Sequence, residues 1–223
     1  MSKIFVSGTG TDVGKTLVST ALILHLQSKG ALVGYEKPAE TGCKTVKGSP
    51  FCPDVEFVKT MTQCVTALPE YYFDPPKAPY AAARESGVCI SMEALCKRVD
   101  ARFAELDALI IEGAGGLLVP LTAENSFADF AVALNTPMLI AAEAGLGTIN
   151  HSLLTIEAAQ ARSIPILGIV LSCASAQDPV FVEENAKEIS RISNVPVLGT
   201  LPYMPELSKE YLLRNSQKIY WPL

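Results

Sequence analysis

Near its start the chain runs from an apolar triplet, Ile4-Phe5-Val6, through a glycine-containing loop, Ser7 to Gly14, into a segment of helical period from Thr16 to Ser28. Few folds accept that order. A strand that delivers a glycine loop straight to a helix N-terminus surrounds an anion with backbone N–H groups while side chains stay clear. Gly8 and Gly14 bracket the loop, which contains Thr9, Gly10, Thr11, Asp12 and Val13, and Lys15 and Thr16 follow at once. In a phosphate-binding loop, Lys15 bridges the terminal phosphates and Thr16 places its hydroxyl on the magnesium ion that neutralises them. The loop is one residue longer than the common pattern G-x-x-x-x-G-K-[ST]. The plainer alternative is a glycine turn before a helix, with Lys-Thr there by chance.

Further along, short apolar runs alternate with segments of helical period: Leu32 to Tyr35, Ala108 to Ile111, Met138 to Ala142, Ile166 to Leu171 and Val197 to Leu201. That alternation predicts an α/β chain, P-loop NTPase-like, with a mainly parallel sheet covered by helices on both faces. No repeat or linker divides the 223 residues, so one domain over 1–223 is expected. Between Thr41 and Ser91 the pattern weakens among six prolines, Pro50, Pro53, Pro69, Pro75, Pro76 and Pro79, and short helices and loops are expected there.

Ligands collect at the carboxyl ends of parallel strands, so each strand end is a place to look for chemistry. Pro38 stops the second strand and leaves Lys37 projecting from its end, where a compact ammonium can stabilise negative charge spread over several oxygens. A lysine at such a place is otherwise a solvated surface group. Glu112 follows the strand Ala108 to Ile111 and precedes Gly113-Ala114-Gly115-Gly116, an open setting for a metal-binding carboxylate, or else for a capping or solvated glutamate. Asp54, after Cys52-Pro53, reads on its own as an ordinary loop acid. The run Gly145-Leu146-Gly147-Thr148-Ile149-Asn150-His151 opens a helix, whose free N–H groups suit a carboxylate, or equally a plain cap with close packing.

Taken in order, the lengthened loop G-T-x-T-D-V-G-K-T, K-P-x-x-[ST]-G at Lys37 to Gly42, E-G-A-G-G from Glu112, and G-L-G-T-I-N-H from Gly145 resemble dethiobiotin synthases, over a span from the first strand to about Tyr203. The resemblance implies an ATP-dependent cyclo-ligase that joins carbon dioxide (or bicarbonate) to 7,8-diaminononanoate, with Mg2+ as cofactor. It implies that Lys15, Lys37 and Thr11 act on the reacting phosphoryl and carbamate groups. Thr16, Asp54 and Glu112 would hold magnesium, and Gly8, Asp12, Val13, Gly14, Lys15 and Thr16 would form the nucleotide loop, with Asp12 also close to the substrate amines. The base would meet Ser172, Pro202 and Tyr203, and the diamine Thr41, Gly115, Gly147, Thr148 and Asn150, its distal carboxylate lying across a homodimer interface. His151 would support the helix rather than transfer protons. Two positions depart from the family pattern: Gly10 replaces an acid, and Ser172 replaces an asparagine able to read the adenine edge.

Charge and cysteine usage narrow the field. A net charge of −5 without a basic stripe argues against nucleic acid as a partner, and no run is apolar enough to span a membrane. The chain begins directly in a strand-like run, which gives a cytoplasmic expectation with reduced thiols. Cys43, Cys52, Cys64, Cys89, Cys96 and Cys173 are irregularly spaced with no C-x-x-C, so no zinc site is expected. Three rival functions remain at this level. A partitioning-type ATPase switch usually carries a second lysine early in its loop, where Gly8 and Thr9 stand here. A silent regulatory domain would not need Lys15, Thr16, Lys37 and Glu112. An amidoligase usually adds a glutaminase domain, for which 223 residues leave no room.

Overall fold

The computed structural model describes residues 2–223. In chain order the elements begin with β1 (Ser2–Gly8), α1 (Lys15–Ser28), β2 (Val33–Glu36), β3 (Ala39–Thr41), β4 (Lys44–Val46), β5 (Ser49–Phe51), α2 (Pro53–Met61), β6 (Val65–Thr66), β7 (Tyr71–Phe73) and α3 (Pro79–Glu85). There follow α4 (Met92–Phe103), β8 (Ala108–Gly116), α5 (Phe127–Ala133), β9 (Met138–Glu143), α6 (Thr148–Gln160), β10 (Ile166–Ser172), α7 (Pro179–Ser193), β11 (Val197–Leu201) and α8 (Lys209–Ser216).

Seven strands form one sheet in the order β11-β10-β9-β1-β8-β2-β6, and every neighbouring pair in it is parallel. The strands read from the sequence are all present, but β8 runs on to Gly116, so Glu112 lies within the strand rather than after it. Burial on both faces explains their legibility: Ile4 and Val6 enter one core with Leu22, Tyr35 and Ile110, while Phe5 enters the other with Leu109, Phe127 and Ile140. Helix α1 buries an unbroken run from Val18 to Leu24, because the sheet covers one side and α2 and α8 cover others.

The strand order reverses at β1. The chain leaves toward β2 and β6, returns to β8, and then builds β9, β10 and β11 on the other side. The crevice at that switch point, beyond the carboxyl ends of β1, β8 and β2, is where such sheets place a ligand.

The proline-punctuated stretch is more structured than expected. Besides α2 and α3 it holds the short parallel pair β3–β7 and a hairpin of β4 and β5. Lys47 and Gly48 form the two-residue hairpin loop, with φ of 51° and 81°, the backbone that a type I′ turn requires.

Candidate active site

The phosphate loop bridges β1 and α1. Its start is tied down by the Thr9 N–H, which donates to the Ala141 carbonyl at 3.0 Å. Its end is fixed by Gly14, the N-cap of α1, at φ 89°. A Cβ at Gly14 would also lie 2.5 Å from the Ser172 Oγ, so both backbone and packing demand glycine there. Gly10 differs: an added Cβ would meet only Val13, at 3.7 Å, an ordinary contact. Packing therefore does not require glycine at position 10 as it does at position 14. Gly8 and Val13 pack against one another within the loop.

Lys15 folds back so that its Nζ donates to the Gly10 carbonyl at 2.7 Å. Burial, and after it the neighbouring Lys37 charge, lower its pKa to about 8, with Glu112, Asp54 and Asp12 pulling the other way. The loop therefore holds a cation short of compensating negative charge, which is the electrostatic condition for attracting an anion.

Across the crevice, Glu112 is fully buried and each of its oxygens accepts two hydrogen bonds. Oε1 accepts from the Thr16 hydroxyl at 2.8 Å and from Lys37 Nζ at 2.7 Å. Oε2 accepts from the Ser19 hydroxyl at 2.7 Å and the Tyr35 hydroxyl at 3.1 Å. Lys37 spends its remaining donors on Asp54 Oδ2 at 2.6 Å and the Gly113 carbonyl at 3.2 Å. Burial alone would lower the Lys37 pKa, but Glu112 and then Asp54 outweigh it and hold the ammonium well above the usual lysine range. Burial likewise pushes the Asp54 carboxyl up, yet the Lys37 ammonium brings it below the usual range.

Thr16, Asp54 and Glu112, drawn from three separate elements, thus converge around one ammonium. A hydroxyl and two carboxylates form a hard oxygen donor set, which fits magnesium.

Ser19 and Tyr35 escaped the sequence reading. The signal was available, since Ser19 follows Thr16 by three residues on one helix and shares its face, and Tyr35 precedes Lys37 by two at a strand end. Glu40 was missed as well. Its Oε1 accepts from the Asp54 N–H at 2.7 Å, and burial followed by the Asp54 charge pushes its pKa up to about 7.

A cavity of about 720 Å³ opens over these groups. Thr11, Asp12, Gly14, Lys15 and Thr16 line one side, and Lys37, Thr41, Asp54 and Gly115 line the other. Pro76 to Pro79, which lead into α3, also line it, in the stretch where short helices and loops were expected.

Gly147, Thr148, Asn150, Pro202 and Tyr203 do not line this cavity. Gly147, at φ 92°, caps α6, and the buried Thr148 hydroxyl has no hydrogen-bond partner among the described residues. Beside α6 lies a shallower cavity of about 370 Å³ between Leu117 to Pro120 and His151, Leu154 and Thr155. Ser172 ends β10 almost fully buried, with its hydroxyl against Gly14 under the phosphate loop.

A parallel sheet that brings two lysines, a threonine and two carboxylates to the phosphate loop at its switch point defines a class: P-loop nucleotide-binding proteins. Comparison with known proteins narrows that class. A family model described as an AAA domain matches residues 2–211. The chain is 41% identical to the ATP-dependent dethiobiotin synthetase BioD of Anaeromyxobacter dehalogenans (strain 2CP-C), over 94% of this chain and 93% of that protein. It is 35% identical to the protein of the same name from Halalkalibacterium halodurans, over 91% of this chain and 85% of that one. Among solved structures, a ParA family ATPase from Chlorobium tepidum TLS superposes with a TM-score of 0.57 at 12% identity, covering 97% of this chain and 90% of that one, a likeness of fold alone. The chain belongs to the ATP-dependent dethiobiotin synthetase family, and is an ATP-dependent ligase.

Proposed function

We propose that the protein closes the cyclic urea of dethiobiotin from 7,8-diaminononanoate, carbon dioxide and ATP, releasing ADP and phosphate. The observation that carries this reading is the meeting of Lys15 and Lys37 with Thr16, Asp54 and Glu112 over one cavity. One substrate amine adds to carbon dioxide and gives up a proton to solvent, leaving a carbamate. A carbamate oxygen then attacks the γ-phosphorus, the bond to the bridging oxygen breaks, and ADP departs. The second amine attacks the carbamate carbon and loses its proton, and phosphate leaves with the bonding pair.

No covalent nucleophile from the protein is needed, so catalysis rests on positioning and charge. Lys15 and the loop N–H groups hold the β- and γ-phosphates. Thr11 lies beside the transferring group, and Asp12 faces the amines. Lys37 acts on the carbamate and phosphoryl oxygens. Its donors are all engaged with Asp54, Glu112 and the Gly113 carbonyl, and Asp54, the more exposed of the two carboxylates, is the partner whose exchange frees one for substrate. Thr16, Asp54 and Glu112 would hold Mg2+, which when bound supplies positive charge to the phosphate oxygens.

Ser172, Pro202 and Tyr203 flank the adenine, and Thr41 and Gly115 line the diamine path. Gly147, Thr148 and Asn150, away from the main cavity, receive the distal carboxylate. Exposed Leu118, Leu146 and Leu154 near α6 support a homodimer that completes this end of the site. In this reading residues 1–223 act as one cytoplasmic domain that engages neither nucleic acid nor membrane.

The test is phosphate release from ATP by the purified protein. Release is expected only when the diamine and bicarbonate are both present, and with stoichiometric formation of the cyclic urea. Release that ignores both, or that responds instead to DNA or lipid, would favour a nucleotide switch. Light scattering under assay conditions checks the dimer, since a fully active monomer contradicts it.

A further inference from the structure

Beneath the magnesium carboxylates lies a second cluster that the ligase reaction does not use. Glu40 is the middle residue of β3, Cys43 precedes β4, and Cys52 follows β5 as the N-cap of α2. The hairpin register pairs Lys44 with Phe51, so Cys43 and Cys52 stand opposite one another at its open end. Their sulfurs are 2.7 Å apart, and one ligand atom from each of Glu40, Cys43 and Cys52 lies within 4.8 Å of the others.

All three side chains are almost completely buried: 2% exposed for Glu40, 3% for Cys43 and 0% for Cys52. The cluster is also incomplete as it stands. Glu40 Oε1 is held by the Asp54 N–H, while the buried Oε2 has no hydrogen-bond partner among the described residues. A buried carboxylate oxygen without a partner costs free energy unless something positive approaches it.

We propose that Glu40, Cys43 and Cys52 form a second metal site, for a thiophilic divalent cation of the zinc class. Two sulfurs and a carboxylate are a set that zinc accepts and magnesium does not. The thiols lose their protons to solvent as the ion binds, and the sulfurs part to roughly 3.8 Å around a tetrahedral ion with Zn–S bonds of about 2.3 Å. Water takes the fourth position, entering past Glu40, which lines the main cavity. The hydrogen bond from the Asp54 N–H orients Glu40 as an outer-shell partner orients a ligand.

Oxidation of the pair to a disulfide is the less favoured chemistry. A disulfide would leave the buried Glu40 Oε2 beside it still without a positive partner, whereas a divalent cation engages all three groups at once. The ion would fasten the end of the hairpin to the first turn of α2, which carries Asp54. It acts as a structural staple.

The experiment uses the full chain, reduced with a phosphine and freed of metal, titrated with Zn2+ against a chromophoric chelator, and in parallel with Co2+. One equivalent of zinc is expected, with a thiolate-to-cobalt charge-transfer band and a rise in melting temperature. Cys43→Ser and Cys52→Ser should abolish the band and weaken zinc binding by more than the roughly 10–100-fold that loss of an outer-shell partner costs. Glu40→Gln, nearly isosteric, should keep the metal-free melting temperature yet still weaken zinc binding, which separates a ligand role from a folding defect. The proposal is overturned if the three variants bind zinc as the wild type does. It is equally overturned if zinc binding is lost only on changing Asp54 or Glu112, or if the reduced protein forms the disulfide and takes up no metal.

Discussion

Replacing Lys37 by methionine separates the ammonium's structural duty from its chemical one. The side chain is 2% exposed and pairs with a glutamate that is 0% exposed, so the substitution leaves a wholly buried carboxylate without its cation. Breaking one side of a buried ion pair costs about 3–5 kcal/mol. Glu112 keeps three hydroxyl donors, from Thr16, Ser19 and Tyr35, which puts the expected loss at the lower end. At about 2–4 °C per kcal/mol for a chain of this length, the melting temperature in metal-free buffer should fall by roughly 6–12 °C.

The same variant retains the oxygen donors of Thr16, Asp54 and Glu112, so Mg2+ is expected to stabilise it more than it stabilises the wild type, where ammonium and metal compete for those carboxylates. Glu112→Gln in the Lys37→Met background should recover part of the loss, because the uncompensated charge is then gone. Differential scanning calorimetry with and without Mg2+ measures all three. A Lys37→Met protein that melts within about 2 °C of the wild type, or a double variant whose losses simply add, refutes the reasoning.

Lys15 is protonated below its pKa of about 8 and neutral above it, and nucleotide phosphates should restore the proton, so ATP binding at pH 8 should take up about half a proton and at pH 6.5 almost none. Calorimetric titration in buffers of different ionisation enthalpy reads this directly, and equal uptake at both pH values removes Lys15 as the source. Asp54→Asn and Glu112→Gln should each raise the Mg2+ concentration for half-maximal turnover by roughly tenfold or more, and an unchanged metal dependence in both separates these acids from the metal. With serine at 172, ATP, CTP and GTP should support comparable turnover, and Ser172→Asn should restore up to about 1–3 kcal/mol of preference for ATP in kcat/KM ratios. A wild type that already prefers ATP by about a hundredfold, unaltered by the substitution, clears Ser172 of that role.

The legible parts of the fold were those where one local rule dominates. A strand buried on both faces must be apolar throughout, and Ile4 to Val6, Ala108 to Ile111 and Met138 to Ala142 obey that rule and reappear as the central strands. A phosphate loop must have glycine before its lysine, and Gly14 meets that need through its left-handed backbone. Lys37 does lie just past the end of β2 and faces Glu112, but Glu112 sits mid-strand, because β8 continues through the glycines to Gly116. Their supporting shell was harder to read. Ser19 and Tyr35 are common residues whose meaning comes only from the glutamate they share, and that sharing depends on placing α1, β2 and β8 together in space.

The hairpin shows why the rest stayed hidden. Strands of three residues, such as β4 and β5, are too short to display an alternating pattern, and both are largely exposed, so burial leaves no mark on their sequence. The turn would normally announce them, because a two-residue loop with both φ values positive favours Asn-Gly or Asp-Gly. Here lysine occupies the first of those positions at φ 51°, so the usual signal is absent. Once that turn forms, period-two register is fixed, and Cys43 must stand opposite Cys52 although eight residues separate them. Metal-ligand spacings in sequence are short because they are read within single turns. A hairpin produces the same proximity at any spacing its strands allow, so irregular cysteine spacing excludes a motif but does not exclude a site.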